Sequence, residues 1–180
     1  MTGLYTPPPH WLKVSANTLR ASDNSVSCLD ELNGITYNTI MRHIVIDTNV
    51  FVSALLSQRG ASFRIIALLD KGLFRINLSV PLVVEYEDAA TRVLPQTRLT
   101  PQDLGDILDY LCQVGEQHQV YYLWRPFLRD PRDDMVLELA VAAECDAIIT
   151  FNEKDFSGVE VFGLRVISPR QFLREIGELS

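Results

Sequence analysis

The architecture predicted for this chain begins with a short β-branched run that ends in an acid, His43-Ile44-Val45-Ile46-Asp47-Thr48-Asn49. A run of this kind is typical of a buried parallel strand. The residues from Asn49 to Leu56 are also mostly apolar, and we predict that they form a helix directly after it. Ionised groups are rare at the end of a buried strand unless they are paired or exposed at the sheet edge. Asp47 is therefore either the cap of the following helix or a ligand in a functional site, and this segment leaves both open.

Strands and helices alternate along the rest of the chain. The pattern predicts further strands at 74–78, 120–123, 147–150 and 165–167. It predicts helices that begin near Ser62, Pro81, Pro101, Asp130 and Pro169, with Gly72 at the end of the one that follows Ser62. Strands separated by helices imply right-handed crossovers and a sheet covered on both faces. The predicted fold class is α/β, with a central, mostly parallel sheet of four to five strands.

The first 40 residues differ from the remainder. Pro7-Pro8-Pro9 favours an extended segment, and no apolar period is sustained around it. We expect residues 1–40 to be an extension, either disordered or the product of a mis-assigned start, with Met41 as the true beginning. Residues 41–180 then form one domain, which is long enough to bury a core.

Composition narrows the possible functions. The net charge of −7 argues against a protein that binds nucleic acid by bulk electrostatics, although a metal cluster would supply a nuclease with its own positive charge. No apolar run approaches the roughly 18 residues needed to span a bilayer, and no secretory signal is recognisable, so a cytoplasmic protein is expected. Cys28, Cys112 and Cys145 lack paired spacing, which favours free thiols in a reducing cytosol.

Polar clusters follow the predicted strands or open the predicted helices. They are Asp47-Thr48-Asn49, Glu85, the segment from Asp130 to Asp134, and the segment from Thr150 to Asp155. Carboxylates at the carboxyl ends of different strands converge in the crevice of an open α/β sheet. Oxygen ligands without a nearby thiolate or imidazole suit Mg²⁺ or Mn²⁺, which points to metal-assisted phosphodiester chemistry.

Each cluster also has a purely structural interpretation. Glu85 complements the dipole of its helix, Asn152 suits a turn, and Asp130 before Pro131 suits a helix cap. Three carboxylates in one first turn exceed what capping needs. Asp133 and Asp134 differ by about 100° around a helix, so they cannot both face one crevice.

Other chemistries fit the sequence less well. His10, His43 and His118 lie outside the clusters, and the chain has no Gly-rich phosphate loop and no Gly-x-Ser-x-Gly elbow. A phosphatase of the haloacid-dehalogenase type would need a second aspartate where this chain has Asn49.

Residues 43–177 resemble a PIN-domain ribonuclease, and most closely the toxin components of VapC-type toxin–antitoxin modules. The segments that carry the resemblance are Ile46 to Phe51, Glu85, Asp130 to Leu137, and Ile149 to Phe156. The resemblance implies a PIN-like three-layer αβα sandwich and Mg²⁺- or Mn²⁺-dependent cleavage of single-stranded RNA.

The resemblance also assigns roles to residues. It gives metal ligation to Asp47, Glu85 and Asp134, with Asp133 as a possible sharer of the third position. The spacing to Thr150 favours Asp134. Asn152 occupies a fourth catalytic position where many PIN nucleases carry aspartate. The number of bound metal ions, one or two, therefore stays open. Asp155 partly compensates for the missing negative charge. The supporting residues, some of which would orient the attacking water or the phosphate, are Thr48, Asn49, Thr150 and Asp155.

The resemblance implies partners as well. A toxin of this kind is expected to be a homodimer, to act on RNA and to bind a small antitoxin protein that blocks the acidic crevice. Asn152 and the acidic net charge keep one alternative open, a PIN scaffold that binds RNA or a partner protein without efficient cleavage.

Overall fold

The structure is a computed structural model that describes residues 41–121 and 126–179. The expectation for residues 1–40 lies outside the described residues. Within them, the strands are β1 (Arg42–Ile46), β2 (Phe74–Leu78), β3 (Glu116–Gln117), β4 (Ala147–Ile149) and β5 (Arg165–Ile167). They form one sheet in the order β3-β2-β1-β4-β5, and every pairing is parallel. The prediction of a mostly parallel sheet of four to five strands is confirmed.

Helices connect the strands. The α-helices of the described residues are α1 (Thr48–Leu56), α2 (Ala61–Ala67), α3 (Val80–Val93), α4 (Pro101–Val114), α5 (Asp134–Ala142) and α6 (Pro169–Glu175). Short 3₁₀ turns lie at Leu94–Gln96, Glu153–Phe156 and Val159–Phe162. The chain moves from β1 towards β3 and then returns past β1 to β4 and β5, so right-handed crossovers place α5 on the opposite face from α1 to α4. The result is the predicted αβα sandwich.

The core is continuous across the sheet. The side chains of β1 from Ile44 to Ile46 and those of β4 are at most 3% exposed, as expected for strands covered on both faces. Aromatic pairs attach the helices: Phe51 of α1 stacks on Tyr86 of α3 with ring centroids 4.5 Å apart. The apolar run before Asp47 is therefore a central strand, and Asp47 leaves it at the sheet's carboxyl edge.

The third strand was predicted at the wrong place. Residues 120–123 were expected to form it, but Val120 and Tyr121 are not in a strand, and Tyr122 and Leu123 lie outside the described residues. The strand is Glu116–Gln117, which pairs with Asn77 and Leu78 of β2. This strand is at the sheet's edge, where only one side is paired and polar residues are tolerated, so an apolar pattern does not reveal it.

One helix start was also wrong. The helix expected at Asp130 begins at Asp134, because the Asp130 carboxylate accepts the N–H of Arg132 (3.0 Å) and holds residues 131–133 in a turn. A side chain that bonds its own backbone in this way competes with the helix. The helix predicted near Ser62 begins at Ala61, with Gly60 at the N-cap. Gly72 has a φ of +70°, but α2 has already ended at Ala67.

Other expectations can be compared directly. Cys112 and Cys145 are free thiols, and burial raises the pKa of Cys145 to about 12, so it is unreactive. In the part of the chain that the structure describes, no helix has the length and apolar character required to cross a membrane.

An ion pair joins the last helix to the sheet and gives the fold a pH dependence. Glu175 of α6 accepts two hydrogen bonds from Arg165 of β5 (2.6 and 3.0 Å), and these bonds hold the pKa of Glu175 below its ordinary value of 4.5. A carboxylate with a lowered pKa stabilises the fold above its unfolded-state pKa, and this contribution disappears as the pH falls through the folded-state pKa. We expect Glu175→Gln to cost about 0.5–1 kcal/mol at neutral pH, a modest value because the pair is partly exposed.

Thermal unfolding as a function of pH tests this expectation. The melting temperature of Glu175→Gln should fall below that of the wild type at neutral pH, and the two should converge as the pH falls below the lowered folded-state pKa of Glu175. Glu87→Gln, at an exposed position of α3, is the matched control. A difference that persists at low pH would show that charge is not the cause.

Candidate active site

A polar cleft opens where the order of the strands reverses. β1 and β4 are neighbours, but the chain continues from β1 towards β2 and from β4 towards β5, on opposite sides. Ligands bind at such a point in open α/β sheets. Ile46 pairs with Ile149, and the N–H of Asp47 donates to the carbonyl of Ile149 (2.9 Å). The cleft has a volume of about 280 Å³. Its polar lining comes from Asp47, Thr48, Asn49, Glu85, Arg92, Asp130, Arg132, Asp133 and Asn152.

Asp47 belongs to a hydrogen-bond network that joins two strands. It occupies the N-cap position of α1, where its carboxylate lies near the N–H groups of Thr48 and Asn49 without forming a well-aligned capping bond. The hydroxyl of Thr150 and the side-chain amide of Asn49 both donate to its Oδ2, at 2.6 and 2.7 Å. The amide of Asn49 also donates to the Thr150 hydroxyl oxygen (3.1 Å), which closes the network. The ends of β1 and β4 are thereby joined through side chains.

Burial raises the pKa of Asp47 above its usual value. The side chain is only 6% exposed, and the nearby charge of Asp155 adds to the effect of burial, while the hydrogen bond from Thr150 opposes it. A carboxylate that is buried at the end of a strand destabilises the fold unless something compensates for its charge. Such a residue is expected in a functional site rather than in a purely structural position.

Tyr86 fixes the helix that carries Glu85 to the end of β1. The Tyr86 hydroxyl donates a hydrogen bond to the carbonyl of Ile46, the residue before Asp47. Burial, together with the charge of Asp47, raises the pKa of Tyr86 well above its usual value, so the phenol stays a donor. This bond attaches α3 to the end of β1 and holds Glu85 at the cleft wall. The sequence showed Tyr86 only as part of an apolar stripe, since its bond crosses 40 residues.

Asp133 faces the cleft from the third acidic cluster. It occupies the N-cap position of α5 and lines the cleft together with Asp130. Burial raises its pKa to about 6, and the charges of Asp47, Asp130, Asp155 and Asp134 contribute in the same direction. Asp133 therefore lies in the negative field of the other carboxylates, as a cation ligand would before its ion binds.

Asp134 is turned away into the protein. It is 1% exposed and is not among the residues that line the cleft. Its Oδ1 accepts the N–H of Leu128 at 2.8 Å, and its two oxygens lie 3.3 and 3.4 Å from the N–H of Phe127. In this arrangement Asp134 holds the segment that precedes α5 against the start of that helix.

The fourth cluster is divided between the cleft and its surroundings. Asn152 lines the cleft, and its N–H donates to the Thr150 hydroxyl oxygen (2.9 Å). Thr150 is fully buried behind Asp47. Asp155 does not line the cleft and acts on Asp47 and Asp133 only through its charge.

Arginines line the same cleft as the acids. Arg132 precedes Asp133, and Arg92 reaches the cleft from the last turn of α3, two turns beyond Glu85. Arg92 was not among the sequence candidates. The signal that could have found it is its position seven residues after Glu85, which places both on one helix face. Guanidinium groups suit phosphate oxygens, so the cleft combines acidic groups with phosphate-binding groups.

The oxygen ligands that the cleft offers are of the type that binds a divalent cation. Asp47, Glu85 and Asp133 offer hard carboxylate oxygens, the ligands that Mg²⁺ and Mn²⁺ take in proteins. Among residues 41–121 and 126–179, however, no three Asp, Glu, His or Cys side chains are grouped closely enough to hold one ion. Burial raises the pKa of Asp133, and the like charges of the neighbouring aspartates add to the effect, so a bound cation would be favoured by these carboxylates.

The fold and this cleft define the class of protein. It is an αβα sandwich whose acidic cleft lies where the order of the parallel strands reverses, and the cleft contains carboxylate oxygens beside arginines. Comparison with known families agrees with this description. The family described as PIN domain matches residues 43–154, more than half of the chain. The chain therefore belongs to the PIN domain family. PIN domains are typically nucleases, and they generally use divalent metal ions. A search of curated proteins found no match.

Proposed function

We propose that this PIN domain is a divalent-metal-dependent endoribonuclease that cleaves single-stranded RNA in the cytoplasm. The observation that carries the proposal is the convergence of Asp47, Glu85, Asp133 and Asn152 on one cleft that also contains Arg92 and Arg132. Carboxylates alone would repel a phosphate backbone. A cation held by the acids, together with the arginines, makes the same cleft attractive to it.

The proposed ligands are Asp47, Glu85 and Asp133. Asp47 Oδ2 is oriented by Thr150 and Asn49, and Glu85 is brought to the cleft by the bond from Tyr86 to β1. We place Asp133 in the third position, because its carboxylate faces the cleft while that of Asp134 binds the backbone of Leu128. Asp134 acts as a positioning residue that keeps the start of α5, and with it Asp133, in place.

A bound Mg²⁺ or Mn²⁺ would supply charge to the phosphate and lower the pKa of a water. The residues of the cleft supply the rest. Arg92 and Arg132 bind and orient the phosphate oxygens, and Asn152 offers an amide to position the attacking water without adding negative charge. Thr48, at the first turn of α1, lines the cleft next to Asp47 and provides a further hydroxyl for the phosphate.

Removal of the metal tests this proposal. Purified full-length protein should cleave labelled single-stranded RNA in Mg²⁺ or Mn²⁺, lose this activity in EDTA, and recover it when Mn²⁺ is restored. The same sequence as DNA, and as an RNA duplex, serves as the matched control substrate and should be cleaved much more slowly. Cleavage that continues unchanged in EDTA would contradict a metal-dependent mechanism.

A second candidate is a PIN scaffold that binds RNA or a partner protein without efficient cleavage. Two observations favour it: Asn152 stands at the fourth position, and the described acids are not grouped closely enough to hold an ion. Calorimetric titration with Mn²⁺ separates the candidates. The nuclease should bind Mn²⁺, whereas no binding at millimolar Mn²⁺ together with retained RNA binding would favour the scaffold.

We further propose that the nuclease is the toxin of a toxin–antitoxin module, a homodimer whose cleft is blocked by its antitoxin. Exposed apolar side chains on α3, Val80 and Val84, support a protein–protein contact on that helix. Under this proposal, expression of the wild type in a bacterial host arrests growth and degrades RNA. Continued growth together with intact RNA in the lysate would contradict the toxin role.

A further inference from the structure

An exposed phenylalanine directly precedes a residue that lines the cleft. Phe151 is 51% exposed, although it follows directly on Thr150, which is fully buried, and precedes Asn152, which lines the cleft. A single exposed aromatic ring between two residues of a polar site has no packing role in the core. It offers an uncovered π-face within one residue of the cleft.

The backbone under this ring is rigidly attached to Asp47. The N–H of Phe151 donates to Oδ1 of Asn49 (3.3 Å), and the same Asn49 side chain donates to Asp47 through its amide nitrogen. On the other side, the N–H of Asn152 donates to the Thr150 hydroxyl oxygen. Phe151 therefore keeps a fixed position relative to the carboxylate that is proposed to hold the metal.

The chemistry of the cleft indicates what the ring meets. Arg92 and Arg132 line the cleft and are suited to a phosphate. A nucleic-acid phosphate bound there would carry a nucleotide on each side. Bases have apolar π-faces that stack on aromatic side chains, and in a duplex these faces are already covered. We propose that Phe151 stacks on a nucleobase of a single-stranded nucleic acid, next to the phosphate held in the cleft. This inference rests on the proposed nuclease function and adds to it a residue that selects unpaired strands.

Variants of Phe151 test the inference in binding measurements with full-length protein. The Asp47→Asn background prevents turnover, and fluorescence anisotropy with a labelled single-stranded RNA gives the dissociation constant. Phe151→Ala should weaken binding roughly 5- to 100-fold, the range expected for loss of one stacked base. Phe151→Leu keeps apolar bulk without a π-face and should weaken it similarly, whereas Phe151→Trp should retain binding.

Two controls make the test specific to stacking. Tyr121→Ala removes an aromatic ring that is 78% exposed but borders a different pocket, with Ser79 and His118, and it should leave binding unchanged. A set of RNAs, each with one abasic nucleotide at a different position, gives the second control. The parent protein should bind the RNA that lacks the stacked base more weakly than it binds the others. With that RNA the Phe151→Ala variant should lose nothing further.

The outcomes separate this inference from the proposed function. If the wild type cleaves RNA but Phe151→Ala and Phe151→Leu bind as tightly as the parent, the stacking role is wrong and the nuclease proposal stands. If Phe151→Leu binds as tightly as Phe151→Trp while Phe151→Ala binds weakly, the contact is apolar and stacking is again overturned. If the wild type does not cleave and the parent does not bind RNA, the nuclease proposal itself fails.

Discussion

Asp47→Asn should lower the rate of metal-dependent RNA cleavage by roughly 10³-fold or more, because a metal supplies several kcal/mol to the transition state and each 1.36 kcal/mol is tenfold in rate. The asparagine has the shape of the carboxylate without its charge. The hydrogen bonds from the Thr150 and Asn49 side chains both end on Oδ2, so the asparagine carbonyl can accept both of them. The variant therefore removes the charge of the proposed metal ligand and keeps these two side-chain bonds.

The same substitution should not destabilise the metal-free protein. The pKa of Asp47 is raised by burial, so its charged form at neutral pH costs folding free energy, and stability falls as the pH rises through the folded-state pKa. Asparagine resembles the protonated form and avoids this cost. We expect a melting temperature equal to or above that of the wild type without metal, a pattern known for active-site residues.

Asp47→Ala provides the matched comparison. Alanine leaves the buried Thr150 hydroxyl without its acceptor, which costs about 1–3 kcal/mol, whereas the Asn49 amide keeps the Thr150 hydroxyl oxygen as an acceptor. It should be as inactive as Asp47→Asn but less stable. If both variants cleave RNA at the wild-type rate, Asp47 does not belong to the catalytic machinery.

Asp133 and Asp134 should separate into a ligand and a positioning residue. Asp133→Asn removes a carboxylate that faces the cleft, and we expect Mn²⁺ affinity to fall by at least about tenfold, the lower end of the effect of altering a metal's surroundings. Because this substitution also relieves repulsion among the acids, the melting temperature should stay the same or rise.

Asp134→Ala should show the opposite pattern. It removes the acceptor of the Leu128 and Phe127 N–H groups, which are held against the start of α5. A buried backbone N–H group without an acceptor costs about 1–3 kcal/mol of folding free energy. The melting temperature should therefore fall by roughly 5 °C. Mn²⁺ affinity, measured well below this temperature, should fall less than in Asp133→Asn. An Asp134→Ala variant with wild-type stability and no Mn²⁺ binding would make Asp134 the ligand instead.

Much of the fold could be read from local patterns. The β-branched run before Asp47, and the prolines Pro81 and Pro169 at the start of α3 and α6, are signals carried by neighbouring residues, and their elements lie where they were predicted. The third strand and the start of α5 were misplaced. β3 is set by pairing with β2, and the first turn of the expected helix is displaced by the Asp130 side chain, so neither depends on apolar periodicity.

The site divides in the same way. Asp47, Asn49 and Asn152 could be named from the sequence, because an acid or amide that follows a strand must emerge at the sheet edge. Glu85 lies within a helix, and its role as a ligand was assigned only through the resemblance to PIN-domain ribonucleases. Sequence alone did not reveal Tyr86 as the residue that anchors Glu85, nor Arg92 as a cation of the cleft. Their roles depend on contacts between elements that are distant in sequence.

The sequence therefore determined the order of strands and helices and the chemistry available at the ends of the strands, since both follow from neighbouring residues. Tertiary structure alone decided the direction of each side chain. Whether Asp133 or Asp134 faces the cleft depends on the residue at which α5 begins and on a bond to the backbone of Leu128. The orientation of Asp47 depends on Thr150, 103 residues away in the chain and adjacent only because β1 and β4 pair.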